Sequence, residues 1–194
     1  QVVNTKLQLY LIYDFLSLSE CDALIKISRS LLSPSTLTRP TDDRDFRTSQ
    51  TAHLNFLDDP IVSVIDNKMY HCLGIDKSYA ETTQIQRYEI GQQFKQHTDF
   101  FAPNSEEFQH FGQHGGNRTW TFMVYLNTVQ QGGETHFSAL NLSIAPQQGL
   151  AIIWNNRYPN GNVNHDTRHA GLPVQVGEKL IITKWFRENK ITSD

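Results

Sequence analysis

From residue 83 onward, glycine cuts the chain into short apolar runs, and this pattern narrows the available folds more than any other feature. The runs occupy residues 83–90, 119–126, 150–154 and 179–186, with Gly115-Gly116, Gly132-Gly133, Gly149 and Gly177 between them. Short runs bounded by turn formers predict strands, and regularly spaced strands predict a sandwich or barrel. The preceding segment has a different texture. Leu7-Gln8-Leu9-Tyr10-Leu11-Ile12-Tyr13 is rich in strand formers. Ser17-Leu18-Ser19-Glu20 fits a capping box and opens a helix through about Ser30, with Leu24, Ile27 and Leu31 at helical spacing. Residues 33–45 read as a polar loop with two prolines, and 47–54 as a further strand. Asp58-Asp59-Pro60 starts a second helix, with acid before it and proline in its first turn, running to about Cys72 ahead of Gly74. The whole reads as helices packed against a C-terminal β-region with no linker: α+β, mainly β.

Composition limits the function classes. A chain of 194 residues fits one domain or at most two small ones, and 38% apolar with 19% charged residues is globular. The net charge of −3 and the lack of a basic stripe argue against a nucleic-acid partner. No apolar run approaches the ~18 residues a membrane span needs. Two cysteines far apart, Cys21 and Cys72, read as packed thiols in a reducing compartment; with no secretory signal in view, the expectation is a cytoplasmic protein.

The candidate chemistry centres on His97-Thr98-Asp99. If this stretch is extended, residues two apart share a face, so His97 and Asp99 project together. One imidazole nitrogen and one carboxylate oxygen can hold adjacent positions on a metal. A further histidine would complete the 2-His-1-carboxylate set that leaves positions open on non-haem Fe(II). Alone, the spacing also fits a surface strand with two solvated polar groups. From the residues, the third ligand is open among His53, His71, His136, His165 and His169. His169 has one distinction: Lys179 lies ten residues on, at the head of the apolar strand Leu180-Ile181-Ile182. A buried ammonium needs a partner, and a bound carboxylate would supply one; a lysine snorkelling from the strand end is the alternative. Residues 102–117 form the longest loop between these strands and carry His110, His114 and three glycines. Its position beside the candidate site reads as a lid; the alternative is a mobile surface loop whose histidines are solvated.

Three ordered motifs resemble the Fe(II)/2-oxoglutarate dioxygenases of the prolyl 4-hydroxylase type, the family of alpha-subunit catalytic domains. They are Tyr88-x-x-Gly91-x-x-Phe94-x-x-His97-x-Asp99, then Gly132-Gly133-Glu134-Thr135-x-Phe137, then His169-Ala170-Gly171-x-Pro173-Val174-x-x-Gly177-x-Lys179-x-x-x-x-Lys184-Trp185. Phe15-Leu16-Ser17 with Glu20-Cys21-Asp22, and Arg47-Thr48-Ser49, extend the likeness over nearly the whole chain. The resemblance implies a double-stranded β-helix, or jelly roll, with flanking N-terminal helices. It would form one domain over residues 1–194, with 1–80 as a helical and strand support region and 81–190 as the β-helix core. It implies His97, Asp99 and His169 as iron ligands, Lys179 on the distal carboxylate of 2-oxoglutarate, Tyr88 and Thr135 as its hydroxyl partners, and Arg118 as a catalytic-site residue near the peptide substrate. The implied cofactors are Fe(II), 2-oxoglutarate and O2, with ascorbate binding as a further expectation. The implied reaction is C4 hydroxylation of a peptidyl proline in a peptide or protein, with 2-oxoglutarate converted to succinate and CO2. The alternative is a related dioxygenase acting on a free amino acid or another protein side chain. Oligomeric state stays open.

Two departures fall on the substrate side. Phe94 stands where these enzymes frequently carry an aromatic hydroxyl, and Thr167-Arg168 precedes the third ligand with no aromatic residue two positions upstream of it. The iron and cosubstrate sets are complete. Their formal charges cancel when Fe(II) and doubly ionised 2-oxoglutarate join Asp99 and Lys179, which suits burial in a low-dielectric interior.

Overall fold

The computed structural model describes residues 1–38, 41–54, 57 and 59–191. The chain begins with β1 (Val2–Asn4), β2 (Leu9–Ile12), helix α1 (Leu18–Ser28), β3 (Ser33–Pro34), β4 (Gln50–His53) and helix α2 (Pro60–Leu73). It continues through β5 (Gln84–Tyr88), β6 (Phe94–His97), helix α3 (Glu106–Phe111), β7 (Arg118–Tyr125), β8 (Gln131–Gly132) and β9 (Thr135–Phe137). It closes with β10 (Leu142–Ile144), β11 (Ala151–Asn155), β12 (His169–Gly171), β13 (Val174–Val176) and β14 (Lys179–Arg187). An eight-stranded sheet runs β1-β2-β11-β7-β14-β5-β4-β3, a four-stranded sheet β10-β9-β12-β6, and β13 pairs with β8. The ladders between these strands are antiparallel. Half of the large sheet, β1 to β4, comes from before residue 80.

Period-two alternation divides the core in two. On β14, Leu180, Ile182 and Phe186 join one apolar cluster with Cys21 and Leu24 of α1 and Ile65 and Met69 of α2. The intervening residues Lys179, Ile181, Thr183 and Trp185 turn the other way and line a pocket. The same division holds on β7, where Phe122 and Val124 face the helices while Thr121 and Met123 face the pocket. Behind the pocket, Ile152 and Trp154 of the large sheet meet Phe137 and Ile144 of the small one. The helices thus cover one face of the large sheet, and the small sheet covers the other.

The local signals explain the helix ends. Ser17 Oγ accepts from Glu20 N at 3.3 Å while Ser17 N donates to the Glu20 carboxylate at 2.8 Å, closing the capping box. α1 stops at Ser28, whose hydroxyl donates back to Ile25 O, so Leu31 lies beyond the helix and is exposed. The buried stripe is Cys21, Leu24 and Ser28 rather than Leu24, Ile27 and Leu31. Asp59 accepts from Ile61 N at 3.0 Å and Pro60 opens α2, which ends on Gly74 at φ +66°. Asp58, the other half of the expected acidic start, lies outside the described residues, as does Pro40 of the 33–45 loop. That loop is not all irregular, since β3 pairs with β4. The stretch 102–117 is likewise more structured than a bare loop: Ser105 caps α3, accepting from Phe108 N at 3.0 Å. Among the described residues no helix is long and apolar enough to cross a membrane. Cys21 is buried, Cys72 exposed, and both are free.

Lys184 fastens the helical layer. It faces α2 and is 2% exposed, donating to Asp66 at 2.9 Å and to Thr83 Oγ1 at 2.7 Å. At the opposite end, Gly149 O accepts from Phe15 N ahead of α1. Gly149 sits at φ +81°, and a Cβ there would lie 2.4 Å from Leu16 O. Gly149→Ala should therefore lower stability by at least about 1–3 kcal/mol, the usual range for one strained backbone position. Urea unfolding should show a lower midpoint at unchanged slope; an unshifted midpoint would mean that the turn absorbs the side chain.

Candidate active site

The pocket forms where β6 meets β12. His97 ends β6, His169 opens β12, and the two are partners in the antiparallel ladder. Strand pairing alone brings the rings to 4.3 Å between centroids. Asp99 arrives differently from the sequence expectation. β6 stops at His97, and a bend carries Asp99 back so that Oδ1 lies 3.7 Å from His97 Nε2. One nitrogen or oxygen from each of His97, Asp99 and His169 falls within 4.8 Å of the others.

Hydrogen bonds behind these side chains leave the donor atoms pointing inward. His97 Nδ1 lies 2.7 Å from Lys95 O, and His169 Nδ1 lies 2.9 Å from Thr167 O. A carbonyl only accepts, so both Nδ1 atoms carry a hydrogen, which leaves Nε2 of each ring as the nitrogen available to a metal. Asp99 Oδ2 accepts from the Thr121 hydroxyl at 2.7 Å. Burial and the neighbouring His169 push His97 down to about 3, so it stays neutral. Burial raises the Asp99 carboxyl, but His169, His97, Arg118 and the Thr121 hydroxyl outweigh it and hold Asp99 below the usual range. Two imidazoles and one carboxylate are the residue types that suit a non-haem Fe(II) with open positions.

Lys179 lines the same pocket. It is 1% exposed, with Nζ 2.9 Å from Gly133 O and 4.5 Å from the centre of the Tyr88 ring. Tyr88 is its ladder partner on β5. Gly171 leaves the ammonium room, since a Cβ there would come within 3.2 Å of Nζ. Burial pushes Lys179 down to about 7, only partly opposed by Glu134. Tyr88 also lines the pocket and donates to Gln86 at 3.1 Å. Thr135 lines it too, its hydroxyl held 2.7 Å from that of Tyr125.

Arg118 stands behind this site, not among the residues lining it. It forms a two-pronged pair with Glu81, both contacts at 2.7 Å, and donates to Asp99 O at 3.3 Å. Its guanidinium lies 4.0 Å over Trp185. Arg47 is the arginine in the pocket wall, 4.8 Å over the ring of Phe94. Phe94 in turn stacks on His97 at 3.5 Å and 14°. Of the other histidines, His165 is exposed and edge-on to Phe100, His136 bonds Ser143, and His110 and His114 are exposed. Arg47, Thr121, Gln86 and Trp154 also line the pocket, beyond the residues that the sequence motifs imply. The alternation in Thr119-Trp120-Thr121-Phe122-Met123 carried a signal, because it turns a threonine inward among large apolar residues.

A sheet sandwich with this donor triad and an enclosed lysine defines a class, and the comparison with known proteins agrees. Residues 83–187 match the 2OG-Fe(II) oxygenase superfamily, and the chain belongs to that family. Within it the chain is similar to prolyl 4-hydroxylase subunit alpha-1 of Gallus gallus, 33% identical over 180 residues, which are 90% of this chain and 34% of that protein. The Homo sapiens subunit alpha-1 is 33% identical over 91% of this chain and 34% of its own length. The chain thus spans about a third of the length of these curated relatives. Among solved structures, the viral collagen prolyl hydroxylase of Paramecium Bursaria Chlorella virus-1 in its 2OG complex superposes with a TM-score of 0.75. It is 30% identical, over 92% of this chain and 95% of that one.

The geometry separates two histidines that the sequence left four residues apart. His169→Ala should abolish stoichiometric Fe(II) binding in anaerobic titration, whereas His165→Ala should bind as the parent does. The reverse result would move the third ligand to His165.

Proposed function

We propose that this chain is a dioxygenase that hydroxylates a peptidyl proline at C4, using Fe(II), O2 and 2-oxoglutarate and releasing succinate and CO2. The observation that carries the reading is one pocket lined both by His97, Asp99 and His169 and by the fully buried Lys179 ammonium. On this reading the two sheets form a double-stranded β-helix flanked by α1 and α2, within one dioxygenase domain spanning 1–194, with 1–80 as support and 81–190 as core. The prolyl 4-hydroxylases it resembles support the substrate class.

His97 and His169 would bind iron through Nε2 and Asp99 through a carboxylate oxygen; bound there, Fe(II) with 2-oxoglutarate supplies the oxidising chemistry. Lys179 would hold the distal carboxylate of 2-oxoglutarate, exchanging the weak partner Gly133 O for a full counter-charge. Tyr88 and Thr135 flank that position with hydroxyls. The apolar walls Ile181, Met123 and Trp154 exclude water from the reacting centre. Trp185 and the rim of Phe94 offer apolar surface suited to a pyrrolidine ring, and the Arg47 guanidinium over Phe94 suits a substrate carbonyl. Arg118, fully engaged with Glu81 and Asp99 O, supports the site from behind on this reading.

The test of cosubstrate binding is Lys179→Ala. Leaving one partner of a buried charge pair unmatched costs about 3–5 kcal/mol, or roughly two to three orders of magnitude in 2-oxoglutarate affinity. Fe(II) binding should be largely preserved. The pH dependence follows from the same residue. The ammonium is the binding form, and free Lys179 loses its proton near 7. Above that pH binding must take up a proton, so affinity should weaken by up to about tenfold per pH unit. Unchanged affinity in Lys179→Ala, or affinity flat from pH 7 to 9, would remove Lys179 from the cosubstrate site.

The substrate is tested by mass spectrometry of proline-containing peptides with Fe(II), 2-oxoglutarate and ascorbate, with succinate measured alongside. The expected product is peptidyl 4-hydroxyproline. Hydroxylation of free proline with none on any peptide would replace the peptidyl reading with the free amino-acid alternative.

A further inference from the structure

The Asp99 carboxylate is asymmetric. Oδ1 faces His97 Nε2 at 3.7 Å, while Oδ2 is 2.7 Å from Thr121 Oγ1. Thr121 has a second polar neighbour, the Asn156 amide nitrogen, 2.9 Å from the same Oγ1. Asp99 is 6% exposed, and Thr121 and Asn156 are fully buried, so water does not compete for these bonds. A hydroxyl has one hydrogen to give. An ionised carboxylate only accepts, and Asn156 Nδ2 only donates. The direction of both bonds is therefore fixed: Asn156 donates to Thr121, and Thr121 donates to Asp99. The relay is anchored at its outer end, because Asn156 N donates to Thr119 O at 2.6 Å and Asn156 O accepts from Asn164 N at 2.8 Å. At its inner end Thr121 is the ladder partner of Trp154, another wall of the pocket.

We infer that Thr121 is a positioning residue for the metal site and that Asn156 sets the direction of its hydroxyl. Together they hold Oδ2 away from the imidazoles and leave Oδ1 alone to act as ligand. The inference rests on the triad being the metal site. Without the hydroxyl, Oδ2 would be a buried acceptor with no partner, and the carboxylate would be free to turn about its last torsion. Partners of this kind behind a ligand are worth about 10–100-fold in metal affinity.

The test is calorimetric titration of the metal-stripped full chain with Co(II), a redox-stable probe for Fe(II). Thr121→Val, which keeps the shape and removes the hydroxyl, should weaken Co(II) binding by about 10–100-fold. Thr121→Ser should restore it to near the parent value, which a role in filling space alone would not give. Asn156→Leu leaves Thr121 and Asp99 in place and should weaken binding by about tenfold, the lower end of that range; it carries the test if Thr121→Val does not fold. Parent-like affinity in Thr121→Val, or in Asn156→Leu where that variant stands in for it, would overturn the inference. So would a failure of Thr121→Ser to recover the loss. A loss in Thr121→Val with parent affinity in Asn156→Leu would overturn the part assigned to Asn156. His97→Ala separates the underlying reading: if it binds Co(II) as tightly as the parent, the triad is not the metal site and the inference falls with it.

Discussion

Asp99 and Lys179 lie in the space between the two sheets, 6% and 1% exposed, and neither is the other's partner among the described ion pairs. Desolvating a charge without a counter-charge is among the costlier things a fold can do. For Asp99 the surroundings offset the cost with two imidazoles, a hydroxyl and the nearby Arg118. For Lys179 they supply a carbonyl, a ring face and the partial opposition of Glu134, and burial still pushes the ammonium down to about 7. Asp99 suits a cation and Lys179 an anion. A divalent metal and a dicarboxylate together would balance both charges, and either alone would leave a residual charge.

Such an interior needs a stiff frame, and the large sheet supplies it through its two faces. Each residue of β14 that turns toward the pocket is followed by one that turns toward the helices. The helical side satisfies its own buried charge completely: Lys184 has both Asp66 and Thr83, and Thr83 also donates to Asp66 at 2.6 Å. Glu81 and Arg118 close a similar pair at the edge of the site, with Arg118 reaching the backbone of Asp99. These paired charges stand around the site, while Lys179 has no ion-pair partner among the described residues.

Much of this could be read from the residues. Capping at Ser17 and Asp59, the stop at Gly74 and the four long apolar runs are local signals, and local signals survive folding. The His-x-Asp motif and the lysine at the head of an apolar strand were visible for the same reason. What could not be read was geometry set by distant chain. Asp99 reaches His97 through a bend, which no two-residue periodicity describes. The short strands β8, β9, β12 and β13 have too few residues to show a period and exist because of their ladder partners. Arg118 is named by family resemblance alone, and its pairing with Glu81, 37 positions away, has no signature in the sequence. Arg47 and Thr121 became site residues only through sheet pairing.

Because His97 and His169 are opposite one another in a single ladder, strand register and ligand geometry are one quantity. The contact closes a loop of 72 residues, and long-range pairing of this sort forms late and is open to slippage. A slip of β12 by one residue would turn the His169 ring to the opposite face of the small sheet. A molecule trapped in that state could keep most of its secondary structure and still hold no metal. Stoichiometric metal uptake therefore counts correctly assembled molecules, and iron present during folding would draw the misregistered population back toward the native ladder.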